Sequence, residues 1–279
     1  MGSESRNRYL LKNTLIFTLG NIGSRMISFF LIPLYTNVLT TSQYGTVDLI
    51  TTISTVAGPM LTLNIAESVM RFGLDKDADK EKNTQCGSIV LLIAMIIGLV
   101  LIPICRCITE LSDYAMYVYF YVISLSTSQL FLCDLRGKEL LLKYSLGNIL
   151  QTLMIAILNI TFLLVFKMET GGYLLAYIIA NFIVSIYAII AGKGYKAFSF
   201  HNIDRCKLKE MIRYSVVLIP NTFMWWIMNS SDRVMVTYMI GAAANGIYAV
   251  SYKLPTLVST LTGIFNQAWS YSAIREEGT

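Results

Sequence analysis

An all-α polytopic membrane protein is predicted by three features of this 279-residue chain. The first is apolar excess: hydrophobic residues make up 55% and charged residues 14%, and the mean hydropathy is +0.58. An average soluble domain is about 45–50% apolar and about 25% charged, and a sphere of this size cannot hide so much apolar side chain from water. The second is length. Eight segments reach the roughly 20 apolar residues that a spanning helix needs: 13–37, 45–66, 86–104, 114–133, 144–166, 171–192, 213–240 and 246–271. The third is the alternation of charge between successive connections.

Basic residues collect before span one (Arg6, Arg8, Lys12), after span two (Arg71, Lys76, Lys80, Lys82) and after span four (Arg136, Lys138, Lys143). They collect again between spans six and seven (Lys193, Lys196, Arg205, Lys207, Lys209, Arg213), and Arg275 ends the chain. The opposite-side connections carry only Arg106 and Lys167. The positive-inside rule therefore places both termini in the cytoplasm. The net charge of +5 is a topology signal, which argues against nucleic acid as a partner.

Span one is too long for a signal-peptide core, and Arg6 stands where a myristoylation motif wants Ser or Thr. The five cysteines are scattered through or beside spans and read as small apolar residues. Asp75, Asp77 and Asp79 fail the calcium-loop pattern, because Lys80 replaces its glycine and Cys86 its closing glutamate. They read as a solvated charge run. His201, the only histidine, falls in a 193–212 connector that is expected to lie at the inner surface, with room for an interfacial helix. No convergent nucleophile, base or metal set appears, so an enzyme is not expected.

Polar side chains inside spans are costly unless they face protein or water. In span one, Thr14, Thr18, Asn21, Arg25 and Ser28 step along one helix face. Span two carries Asp48, Thr52, Thr55 and Thr62, with Pro59 on the same side. Span five offers Asn148, Thr152 and Asn159; span six offers Tyr177, Asn181 and Ser185. Asn221, Trp225, Asn229 and Asp232 mark span seven, and Tyr248, Tyr252, Ser259, Thr262 and Asn266 mark span eight. Any single Thr or Asn is commonly bonded to its own or a neighbouring helix, but so many stripes predict a shared wet cavity. Arg25 sits about halfway along its span, where an arginine costs about 2.5–3.5 kcal/mol. The group that offsets this is either a structural partner such as Asp48 or an anionic substrate. Asp232 and Arg233 are adjacent and do not face each other, so each needs its own partner. Lys253 is within snorkelling reach of the outer end of span eight.

The segment opening at Asn13 resembles the one opening near Arg213, with Gly20-Asn21 against Pro220-Asn221 and Tyr44-Gly45 against Asn245-Gly246. An even number of spans separates them, which predicts a parallel repeat about an axis along the membrane normal. The expected organisation is a six-helix lobe over 1–192, the 193–212 connector, and an incomplete second lobe over 213–279 holding two helices.

The pattern Asn13-Thr14, Gly20-Asn21, Pro33-Leu34-Tyr35-Thr36, Tyr44-Gly45, Asp48-Leu49, Pro59 and Arg71-Phe72 resembles bacterial polysaccharide flippases. So does the run Pro220-Asn221, Trp226, Ser231-Asp232-Arg233, Gly241, Gly246-Ile247-Tyr248, Lys253, Phe265 and Ala268-Trp269. These are the O-antigen and capsule repeat-unit exporters of the multidrug/oligosaccharidyl-lipid/polysaccharide superfamily, and the resemblance covers nearly the whole chain. Family members have twelve to fourteen spans in two lobes, so this chain is expected to be a truncated one. The resemblance implies residence in the bacterial cytoplasmic membrane and a substrate built of an oligosaccharide on undecaprenyl pyrophosphate, turned between leaflets by alternating access. It implies substrate contacts from a cavity set of Arg25, Asn21, Asp48, Asn221, Trp225, Asp232, Arg233, Tyr252 and Lys253. Arg25 is the first candidate for the pyrophosphate. No cofactor is expected; a coupling ion, Na+ or H+, has Asp48 and Asp232 as candidate sites. Membrane lipids, polysaccharide-assembly enzymes and a second chain completing the bundle are the other expected partners. Two alternatives stand beside this reading: a cation-coupled multidrug-type antiporter, and a non-transporting scaffold or inactive remnant.

Overall fold

The computed structural model describes residues 27, 30–75, 77–198, 204–253, 255, 256, 258 and 262, and of residues 109, 110, 196 and 198 the backbone alone. Among the described residues the chain is helical throughout its regular elements. A short α1 (Ile32–Val38) leads into α2 (Thr41–Leu61). Thr40 starts α2 with a capping box: its hydroxyl accepts from the Gln43 amide, and the Gln43 side chain accepts from the Thr40 amide at 2.9 Å. The single span expected over 45–66 is broken. After residues 62–64 the chain resumes as α3 (Ile65–Gly73), turned by 60°. Pro59 withholds a helix N–H, and Leu63 and Asn64 adopt left-handed backbone at φ 51° and 54°, a region that only Asn among ordinary side chains enters readily.

Four long helices follow: α4 (Lys80–Arg106), α5 (Ala115–Gly137), α6 (Leu141–Ile160) and α7 (Glu169–Ala191). A 3-10 turn (Thr109–Tyr114) precedes α5, and a π turn (Thr161–Val165) extends α6. Together with α2–α3 taken as one broken span, these make up to five crossings by length and composition among the described residues. This is an all-α membrane protein. The expected first span lies mostly outside the described residues, as does much of the eighth. The seventh belongs to α8 (Arg205–Met239), a single 35-residue helix, which would be about 52 Å long. It falls short of the apolar crossing criterion because Asn221, Asn229, Ser230 and Ser231 interrupt its middle. A further helix, α9, begins at 242 and is described to 253.

Burial separates the roles of the helices. The most apolar window, on α4 with mean hydropathy 3.0, is only 22% buried, whereas that of α5 is 67% buried. Apolarity on α4 therefore faces lipid, and α5 is the axis of the bundle, packed against α2, α3, α4, α6 and α7. Two apolar clusters result. One, at the end bearing the basic connectors, joins Ile65, Val69, Leu130, Phe131, Val184 and Met211. The other, at the opposite end, joins Tyr35, Leu49, Ile50, Tyr121, Tyr173 and Leu174.

At the basic end, buried Asp134 accepts from Thr84 Oγ1 at 2.5 Å and Lys138 Nζ at 2.6 Å, and Lys138 also donates to the Gly192 carbonyl. This knits α4, α5 and the end of α7. Within the expected 193–212 connector, a 3-10 turn spans Gly194–Phe198 and α8 begins at Arg205. His201 lies outside the described residues. The Asp75–Asp79 run is paired locally, Asp75 with Arg71 and Asp79 with Lys82.

Asp79 also caps α4 by accepting from the Lys82 amide, which holds its carboxyl below the usual range. Replacing Asp79 by Ala is expected to cost about 1 kcal/mol. Because the native carboxyl is the stronger acid, that increment is complete above the unfolded pKa and lost as pH falls through the native one. Thermal unfolding in detergent at neutral and acid pH checks this: the two proteins differ at the first and converge at the second.

Candidate functional site

Two polar assemblies lie at opposite ends of the contact between α8 and the broken α2–α3 segment. The first joins α2, α8 and α9. Arg233 Nη1 donates to Asp48 Oδ1 at 3.0 Å, and both side chains are largely buried, at 15% and 7% exposed. The guanidinium also covers the Tyr252 ring at 5.1 Å. Asn245, wholly buried, donates to the Gly45 carbonyl at 3.0 Å and to Asp48 Oδ2 at 3.4 Å. Tyr248 donates to Asp232. Trp226 Nε1 donates to the Thr52 carbonyl at 2.9 Å. Lys253 is half-buried within electrostatic reach of Asp48. Asp232 and Arg233 thus have separate partners, as their adjacency requires.

The backbones at this closure are arranged reciprocally. A Cβ added at Gly45 would overlap the Ala242 carbonyl, and one added at Gly246 would overlap the Thr41 carbonyl. Thr41 and Ala242 are 201 residues apart, and so are Gly45 and Gly246. Residue i of one segment meets the equivalent of j in the other, and j meets the equivalent of i, which is the signature of a two-fold contact. The sequence repeat is thereby a geometrical one at the α2–α9 crossing, where only glycine permits the approach.

The second assembly is a cavity of about 770 Å³. Thr55 and Pro59 of α2, Asn64 in the break, and Glu67 of α3 form one wall; Gln129, Cys133 and Arg136 of α5 form the next. Tyr144, Asn148 and Gln151 of α6 and Tyr214, Asn221 and Thr222 of α8 complete it. Gln129, Cys133 and Arg136 step by four and three residues, as do Tyr144, Asn148 and Gln151, so each set shares one helix face. From Leu125 at the floor to Arg136 is eleven residues of α5, about 16 Å. The charged residues Glu67 and Arg136 belong to the basic end, and the floor is uncharged. Arg136 sits over the Tyr144 ring at 5.4 Å. Asn64 Nδ2 donates to Thr222 Oγ1 at 3.3 Å, joining the two sides of the cavity.

The family described as polysaccharide biosynthesis protein matches residues 10–271. This chain belongs to that family. It is therefore a membrane protein of polysaccharide biosynthesis, in agreement with the resemblance carried by its motifs. No curated protein and no solved structure matches it significantly.

The residues proposed from sequence divide between the two assemblies. Asn221 lines the cavity. Asp48, Asp232, Arg233, Tyr252 and Lys253 belong to the closure at the other end. Trp225 is 63% exposed and lines neither, while its neighbour Trp226 turns inward. Arg25 and Asn21 lie outside the described residues, and Asp48 takes Arg233 as its described partner. Several stripe residues donate to carbonyls of their own helix: Thr55 to Thr52, Thr152 to Asn148, Asn159 to Ile155 and Ser185 to Asn181. Sequence reasoning missed Glu67, Gln129, Arg136, Tyr144 and Gln151. Arg136 was counted only as a topology charge, although its four-three spacing with Cys133 and Gln129 marks a face. Among the described residues no three His, Cys, Asp or Glu converge as metal ligands.

Removing one partner of the Asp48–Arg233 pair leaves a buried charge, at a cost of about 3–5 kcal/mol. Arg233→Leu is expected to lower the unfolding midpoint strongly, and Asp48→Leu with Arg233→Leu to recover most of the loss. Additive losses in that double-mutant cycle would show that the two side chains do not act as a pair.

Proposed function

We propose that this protein turns an oligosaccharide linked to undecaprenyl pyrophosphate across the bacterial cytoplasmic membrane. The observation that supports this best is the cavity itself: polar, walled by helices of both repeats, and charged at one end only. A pyrophosphate requires cationic partners in a low-dielectric site, and a guanidinium matches its oxygens in a bidentate way. Arg136 fills that role at the cavity's charged end, with Arg25 a second candidate. Sugar hydroxyls require donors and acceptors, which Gln129, Asn148, Gln151 and Asn221 supply. The polyprenyl tail stays in lipid while the head group enters between the repeats.

In this reading the basic end faces the cytoplasm, following the positive-inside rule. The Asp48–Arg233 pair and the Gly45–Gly246 crossing close the route to the other side. Transport exchanges that closure for one at the basic end, as the rocking of one repeat against the other would do. Asp48 and Asp232 are the candidate sites for a coupling proton or Na+. The protein carries its substrate across without chemical change. Polysaccharide-assembly enzymes would supply and consume the substrate, and a second chain is a further candidate partner.

Arg136→Ala is expected to reduce surface polysaccharide about 10- to 100-fold, as loss of a charge-assisted hydrogen bond would. The variant should remain in the membrane at normal amount while lipid-linked repeat units accumulate. Arg136→Lys should retain part of the activity. Normal export by a protein carrying both Arg25→Ala and Arg136→Ala would overturn the proposal.

A further inference from the structure

We infer that Gln151 is the side chain through which the cavity reads the sugar, and that Asn181 is the positioning residue that holds it. This rests on the flippase reading and assigns specificity within the same site.

Gln151 lines the cavity and is only partly buried. Its Nε2 donates to Asn181 Oδ1 at 2.6 Å. Asn181 Nδ2 donates to Ser124 Oγ at 3.4 Å, and Ser124 Oγ donates to the Tyr121 carbonyl at 2.9 Å. The chain of donors runs from α6 through α7 to the α5 backbone, so its direction is set by a fixed carbonyl. Asn181 is 1% exposed and Ser124 fully buried, so neither touches a solute. Their consequence at the cavity is that one Gln151 N–H is committed and the amide cannot flip. Its Oε1, which no described residue engages, is left to accept from a ligand, and its second N–H is left to donate. A free glutamine accommodates either orientation of a partner. A locked one discriminates, because a substrate that offers no donor there strands a polar group.

Position supports the same role. Gln151 is ten residues into α6 from Leu141, about 15 Å along the bundle, whereas Arg136 is one residue from the end of α5 at Gly137. A head group anchored by its pyrophosphate at Arg136 extends its sugars toward Gln151. The charged and uncharged parts of one ligand thus meet charged and uncharged parts of one cavity.

The test measures binding to the full chain in lipid nanodiscs with two lipids: undecaprenyl pyrophosphate, and the undecaprenyl-pyrophosphate oligosaccharide extracted from cells that make the polymer. The unchanged protein is expected to bind the glycosylated lipid about tenfold more tightly. Gln151→Leu should lose that preference and keep its affinity for the bare lipid, which also reports that it is folded. Should it fail to fold, Gln151→Asn, with the amide withdrawn by one methylene, should lose the preference in its place. Asn181→Leu should weaken the preference without abolishing it, because the Gln151 amide is freed but still present, and Asn181→Asp, which still accepts from Gln151, should restore it. An unchanged preference in Gln151→Leu or in Asn181→Leu would overturn the inference and leave the flippase reading standing. Failure of the unchanged protein to bind either lipid would overturn both.

Discussion

The break in the second spanning segment is the constraint on which the rest of the arrangement hangs. The segment from Thr41 to Gly73 lies against α5 and α8 on both sides of the break, and its α3 part adds the broad contact with α4. The 60° turn after Leu61 redirects the chain between these contacts. Above the break, α2 meets α9 closely enough to exclude a side chain at Gly45. Below it, α3 packs against α4, α5 and α8, with Ser68 bonded to the Met211 carbonyl and to Ser215 on α8, and it forms one wall of the cavity through Glu67. The cost is two residues in left-handed backbone, which is tolerated where neighbouring side chains and a cavity satisfy the freed polar groups. The Asn64 side chain bridges from the break to Thr222 on α8.

The closure above the break is well connected yet incompletely satisfied. Arg233 Nε and Asn245 Oδ1 are buried without a hydrogen-bond partner among the described residues, although other atoms of the same side chains are bonded. Burying an ion pair recovers its desolvation cost only when the remaining donors and acceptors are also used. An assembly that leaves two of them unused holds the helices in register at a modest net gain. That suits a contact made between two repeats and broken again, and contrasts with Asp134, whose oxygens both have partners at the basic end.

How the candidate site compares with its sequence signals is instructive residue by residue. Asp48 was offered as a partner for Arg25, and Arg233 was expected to need a partner of its own, but 185 residues separate Asp48 from Arg233, and no local pattern relates one to the other. The stripe on span six pointed to Asn181, which is buried behind the cavity wall and acts through Gln151. The stripe on span five named Asn148 correctly as inward but followed Thr152, one residue from the side chain that faces the cavity. A helix face is defined only to about one residue in spacing, and a difference of 100° in azimuth decides between cavity and backbone bond.

What composition, span length and charge alternation settled was the solvent: a chain with this apolar excess must be helical and embedded in lipid, because only internal hydrogen bonding satisfies a backbone there. The correspondence of Gly45 with Gly246 was equally legible, since the two stand 201 residues apart and glycine at a close crossing admits no substitute. The fold had to decide which polar residues share a cavity and which seal it. That depends on the bend at residues 62–64 and on the azimuth of each helix, and both are set by packing against distant segments rather than by neighbours in the chain.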